Sequence, residues 1–140
     1  MPTGRSDKTR PALDLKLAWL SYIEPMHSPN DLSEPALAWC PFPNRESARR
    51  IATQLLDEKL IGCANILGDI EALYEWNGER GKSKEVAVLM KTNANRLSDM
   101  TQRLGELHPY DAPAILGWHC DDAHPSTKAW LGTLSQGASA

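Results

Sequence analysis

At 140 residues, with 41% hydrophobic and 24% charged side chains, the chain has the size and composition of one globular domain with a proper core, and a second domain is not expected. A formal net charge of −3 leaves no basic surplus, which argues against nucleic acid or an anionic membrane surface as a partner. Cys40, Cys63 and Cys120 are odd in number, far apart and without Cys-x-x-Cys spacing, so neither a disulfide framework nor a closed zinc site is favoured, and free thiols in a cytoplasmic setting are expected.

In chain order, residues 1–34 carry scattered prolines and charges and read as a poorly ordered extension. Within them Leu13, Leu17 and Leu20 have the spacing of a short helix face, while Leu17–Leu20 is too short for a signal-peptide core and follows Asp14 and Lys16. Met26, just ahead of the organised part, is a candidate start. No stretch approaches the length of a membrane span.

The domain is expected over residues 35–137. Ala36–Cys40 reads as a buried strand, broken by Pro41 and Pro43, with Asn44 offering a helix N-cap. Ala48, Ile51, Ala52, Leu55 and Leu56 then recur at helical spacing opposite a charged side, and Gly62 is expected to close that helix. Cys63–Leu67 makes a strand, Gly68-Asp69 bends it, and Ile70–Trp76 continues it with Ala72, Tyr74 and Trp76 on one face. Asn77-Gly78 signals a hairpin, although the polar run through Lys84 suggests a loose tip, and Glu85–Lys91 supplies the return strand. A second helix carries Leu97, Met100, Leu104 and Leu107 inward and stops at His108, because proline disfavours helical backbone in the residue before it. The segment between Pro109 and Pro113 is a stiff connector into the strand Ala114–His119, and Pro125 opens a last helix in which Thr127, Trp130, Leu131 and Leu134 share a face. The order βαββαβ plus a terminal helix predicts an α+β, ferredoxin-like sandwich with an extended hairpin. Its other sheet face lacks a cover, which predicts pairing with further subunits through Tyr74 and Trp76.

The chemistry is sparse. Gly-x-Ser-x-Gly, a phosphate loop and His-Glu-x-x-His are all missing, so an enzyme is not expected. Cys40 ends a strand where a thiol can reach the surface, and thiolate with imidazole is a suitable set for copper; burial at the strand end is the competing reading. His108, on a loop beside proline, is not expected to be a core histidine. His119 and Cys120 point to opposite faces, and Asp121 and Asp122 beside His124 suit helix capping better than metal binding. Lys91 ends an otherwise apolar strand, either offering a cation to an anionic ligand or reaching solvent.

Cys63-x-Asn65-Ile66, Tyr74-x-Trp76-x-Gly78, Glu85-Val86, Lys91-Thr92, His108-Pro109-Tyr110-Asp111-x-Pro113 and Trp130-Leu131, taken together and in order, resemble the CutA family, the divalent-ion (copper) tolerance proteins. The resemblance implies a homotrimer of ferredoxin-like subunits, similar in architecture to the PII signalling proteins. It also implies a copper ion as ligand, with Cys40 and His108 as the metal donors. A second histidine found in some members is Leu107 here, and a glutamate after the second proline is Ala114. The alternative function is a trimeric sensor or scaffold that takes a small anionic ligand in an intersubunit cleft through Lys91, Tyr110 and Asp111.

Overall fold

The structure, a computed structural model, describes residues 34–137. The expected disordered extension, the Leu13, Leu17 and Leu20 helix face and the candidate start at Met26 lie outside the described residues.

Strand β1 (Pro35–Phe42) has Ala36, Ala38, Cys40 and Phe42 fully buried on one face, with Leu37 and Trp39 half-buried on the other and the prolines at positions 35 and 41 buried too. It runs two residues past the expected end at Cys40, through Pro41 to Phe42. Two neighbours flank β1, but β4 (Leu116–His119) pairs only with Ala36 to Trp39, so one edge of β1 is open at Pro41. A residue without a backbone N–H is tolerated at such an edge.

Helix α1 (Arg45–Asp57) begins at Asn44, whose side chain accepts from Ser47 N at 2.8 Å, and buries Ala48, Ile51, Ala52 and Leu55. Leu56, expected on the buried face, is exposed. The helix ends earlier than Gly62. Lys59 adopts φ 61°, Leu60 N donates to Leu55 O and Lys59 N to Leu56 O, which is the paired hydrogen bonding of a Schellman motif built on lysine instead of glycine.

Strand β2 (Cys63–Trp76) and strand β3 (Glu79–Asn93) form a hairpin about 45 Å long at roughly 3.3 Å per residue. The register slips by one between Ile66 and Gly68. Ala64 and Ile66 face the core before this bulge; beyond it Ile70, Ala72, Tyr74 and Trp76 turn to the opposite face. The tip is tight, contrary to the loose one expected: Asn77 and Gly78 sit at φ 53° and 80°, and Trp76 pairs directly with Glu79. Two consecutive positive φ angles match the twist of a two-residue hairpin, so the polar run after the turn is strand.

Helix α2 (Ala94–Leu107) is capped by Asn93, which accepts from Arg96 N at 3.0 Å. Strand β4 is shorter than the expected Ala114–His119. Helix α3 (Pro125–Gly137) buries Leu131 and Leu134, while Trp130, expected beside them, is 44% exposed.

The four strands form one antiparallel sheet in the order β2-β3-β1-β4, the ferredoxin-like arrangement. Phe42, Val86, Val88 and Met90 from one face of it join Ile51 and Leu55 of α1 and Met100 and Leu104 of α2 in a single core. On the opposite face Trp76 is 63%, Leu116 64% and Trp118 45% exposed, so the expected uncovered face is present among the described residues.

Asn93 is fully buried and serves two elements, since its Nδ2 also donates to Leu131 O at 2.7 Å and so fixes α3. Replacing Asn93 by alanine should cost about 2–3 kcal/mol, because a cap is lost and a buried carbonyl is left unpaired. Asn93→Asp should fall between, keeping the cap acceptor but not the donor. Denaturant unfolding at a fixed protein concentration checks both.

Candidate functional site

Beyond Trp39, β1 has no β4 beside it, and the connector after α2 takes its place. In a strand the N–H and C=O of one residue point to the same side, so the edge left free by the missing N–H of Pro41 also presents its carbonyl. His108 meets it: Nε2 lies 2.9 Å from Pro41 O, and Tyr110 N donates to Nδ1 at 3.1 Å. A backbone N–H can only donate, so Nδ1 is the acceptor, Nε2 carries the proton, and the ring is neutral. The imidazole is buried and stacks on Phe42 at a centroid distance of 4.8 Å. Burial pushes its pKa below the usual imidazole value, only partly offset by the Pro41 carbonyl and the charge of Glu85. His108 is thus a core histidine after all.

The same connector sends Tyr110 across to β3, where its hydroxyl donates to Glu85 Oε2 at 2.9 Å. Burial first, then the Glu85 hydrogen bond and charge, push the phenol up to about 12, which keeps it a donor. Between this connector and the far half of the hairpin lies a cleft of about 770 Å³, lined by Tyr74, Trp76, Tyr110, Glu85 and Asp111. Tyr74 lies across Gly81, the residue opposite it in the ladder; a Cβ there would come within 2.6 Å of the ring, so the glycine makes room for it. Glu85 and Phe42 were not named as site residues from the sequence, although Glu85 stands in the Glu85-Val86 pair of the family resemblance. An isolated acid at the head of the apolar run of β3 was the available signal for the first.

The expected metal pair is closed. Cys40 is fully buried rather than reaching the surface, and its thiol points to Pro41 O at 3.5 Å. Burial, with the nearby charge of Glu85, pushes the thiol up to about 12, so no thiolate is offered at neutral pH. Both nitrogens of His108 are already engaged. These two residues hold the fold here and do not fit a resident metal. Among the described residues, no group of three or more His, Cys, Asp or Glu side chains is placed to hold a metal ion. His124 caps the start of α3 through Ser126 N, and Cys63 lies 3.6 Å from Asn65 Oδ1.

The expected ligand cleft is only partly assembled. Tyr110 and Asp111 line it, but Lys91 pairs with Leu37 and Cys63, six residues along β3 from Glu85 and roughly 20 Å away at strand spacing. Among the described residues of one chain the cleft therefore has no lysine in its wall. Tyr74, 49% exposed, and Trp76 stand on the uncovered face, as a subunit contact requires.

The low pKa of His108 sets a sign for acid stability. The unfolded chain takes up the imidazole proton as pH falls through about 6.5, before the folded chain does, so this residue stabilises the fold fully above that value and progressively less below it. Unfolding free energy between pH 7.5 and 5 should fall more steeply in the wild type than in His108→Asn. Parallel profiles would show that the ring is not buried neutral.

The family model described as "CutA1 divalent ion tolerance protein" matches residues 36–133. A Divalent-cation tolerance protein CutA from Pyrococcus horikoshii is 39% identical over 95 residues, covering 68% of this chain and 92% of the relative. The one from Thermotoga maritima is 35% identical over 95 residues, covering 68% of this chain and 93% of the relative. The crystal structure of the divalent ion tolerance protein CutA1 from Ehrlichia chaffeensis superimposes with a TM-score of 0.68 at 32% identity, covering 73% of this chain and 95% of that one. With its family model spanning the whole ferredoxin-like sheet and the His-Pro-Tyr-Asp connector at its edge, the chain belongs to the CutA1 divalent-ion tolerance family.

Proposed function

We propose that the chain works as a homotrimer in divalent-cation tolerance, in the cytoplasm, holding copper in preference to hard ions and catalysing no reaction. The observation that carries the assembly is the uncovered sheet face: Tyr74, Trp76, Leu116 and Trp118 are large, apolar and exposed on it, and among the described residues no strand pairs with the outer edge of the 14-residue β2. A face and an edge of that size invite closure by further copies of the chain. Family membership supports the tolerance role. The three free cysteines support a reducing compartment. Copper is the favoured ion because it heads the first-row divalent series at nitrogen, oxygen and sulfur sites alike.

A small anionic ligand is the weaker reading. Among the described residues the cleft wall carries acids and no base, and Lys91 is remote from Tyr110 and Asp111.

Light scattering should give a mass near three times 15.5 kDa. Trp76→Ala should weaken the assembly by about 2 kcal/mol or more, the loss typical of a buried aromatic anchor. A stable monomer or dimer at micromolar concentration overturns the assembly. Calorimetry should find copper bound more tightly than magnesium, with the Cys40→Ala/His108→Ala variant close to wild type, because the structure engages both groups internally. A clear loss of copper affinity in that variant would return the ligands to this pair.

A further inference from the structure

The turn at the tip of the β2–β3 hairpin carries chemistry that the fold does not use. An asparagine carboxamide is open to attack by the backbone nitrogen of the next residue when the carboxamide is free, that nitrogen is free, and no side chain on the following residue crowds the approach. Asn77 meets all three conditions. Asn77 and Gly78 are both exposed. Among the described residues no side-chain hydrogen bond holds the Asn77 carboxamide and no turn or loop hydrogen bond uses Gly78 N, because the flanking pair, Trp76 with Glu79, closes the turn. The space where a Cβ on Gly78 would stand has no heavy atom within 4 Å, and glycine leaves it empty.

The other described asparagines are protected. Asn44 accepts from Ser47 N, Asn65 accepts from the Cys63 thiol, and Asn93 is held at both ends, by Arg96 N and by Leu131 O. At Asn95 the nitrogen that would attack, Arg96 N, is the donor in the Asn93 cap at 3.0 Å. We propose that Asn77-Gly78 is a site of spontaneous deamidation and backbone isomerisation, so that the hairpin tip changes with the age of the chain. Gly78 N gives its proton to water and bonds to Asn77 Cγ; ammonia leaves with the electron pair of the broken C–N bond, takes up a proton, and a five-membered imide remains. Water then opens the imide. Cleavage at Cγ gives an aspartyl chain, and cleavage at the backbone carbonyl carbon gives an isoaspartyl chain whose main chain runs through Cγ. Nothing is oxidised or reduced. Either product adds a carboxylate close to Glu75 and Glu79, where Arg80 is already paired with Glu75 at 3.3 Å. The isoaspartyl product also lengthens a two-residue turn by one backbone atom. The paired φ angles of 53° and 80° that match the strand twist are then lost, and Trp76 and Glu79 no longer pair in register.

Asn77 and Gly78 stand beyond Trp76, outside the residues assigned to the subunit contact, so the test uses the assembled full-length chain. It is aged for weeks in warm, mildly alkaline buffer and followed by peptide mass spectrometry, with an isoaspartyl methyltransferase assay to separate the two products. Asn77 should gain about one dalton, mostly as the isoaspartyl form, at least about tenfold faster than Asn44, Asn65, Asn93 or Asn95. Hydrogen exchange at the amides of Glu79 and Arg80 should speed up in the aged chain. Asn77→Gly keeps a residue suited to positive φ and removes the carboxamide, so its tip should exchange alike before and after ageing. A gain at Asn77 no faster than at the other asparagines overturns the proposal, as shielding of the tip by a neighbouring subunit or by the turn itself would produce. Faster exchange in aged Asn77→Gly, or isoaspartate at Asn77 with exchange at Glu79 and Arg80 unchanged, would overturn it too.

Discussion

The hydrogen bond between His108 Nε2 and the carbonyl of Pro41 is the contact on which the functional end of this molecule depends. β4 covers only the first half of β1, and a strand that loses its neighbour leaves carbonyls unpaired. Pro41 already lacks an N–H, so a single acceptor remains to be met, and one imidazole suffices. The ring that meets it is held from its other side by Tyr110 N and from below by Phe42. That places Tyr110 within reach of Glu85 and so defines one wall of the cleft. An edge that would otherwise be exposed backbone becomes the anchor of a connector.

A second constraint, the bulge at Ile66 and Gly68, decides what the other wall contains. Without it, Ile70, Ala72, Tyr74 and Trp76 would continue on the helix side, past the ends of α1 and α2, and the uncovered face would have no aromatic residues on the hairpin. With one extra residue, the near half of β2 serves the core and the far half serves the outer face. Gly68, at φ 124°, takes a backbone angle that a side chain would strain. One irregularity in a strand thus supplies both the aromatic residues of the uncovered face and half of the cleft.

Most of the fold was legible because its signals are local. Asn44 and Asn77-Gly78 act within two or three residues of themselves, and the periodicity of α1 and α2 follows directly from the sequence. The failures came where a distant segment decides the outcome. Proline argued for a break at Pro41, but the tolerance of that site is set by where β4 stops, some seventy-five residues later. Lys59 as a left-handed cap is a choice that glycine at position 62 masked, since the paired carbonyls of Leu55 and Leu56 determine it. The site suffered in the same way. A loop histidine between a helix and a proline looks exposed, and a cysteine at a strand end looks reachable, until the two are found on either side of one buried carbonyl. Both are then consumed by the fold.

Electrostatics separates the remaining readings more sharply than shape does. Lys91, Tyr110 and Asp111 look like one ligand set in the sequence, and strand spacing alone takes Lys91 out of it, because six residues of extended chain cannot be folded back within β3. Once the lysine is gone, the charged side chains left beside the cleft among the described residues are Glu85 and Asp111, since Glu75 alternates to the other face of β2, where it pairs with Arg80. A pocket of that sign repels phosphates and carboxylates before any contact is made, and its aromatic walls offer nothing to a hydrated hard ion. A divalent ion therefore needs donors gathered from surfaces outside the closed Cys40 and His108 pair, whose groups the fold already engages.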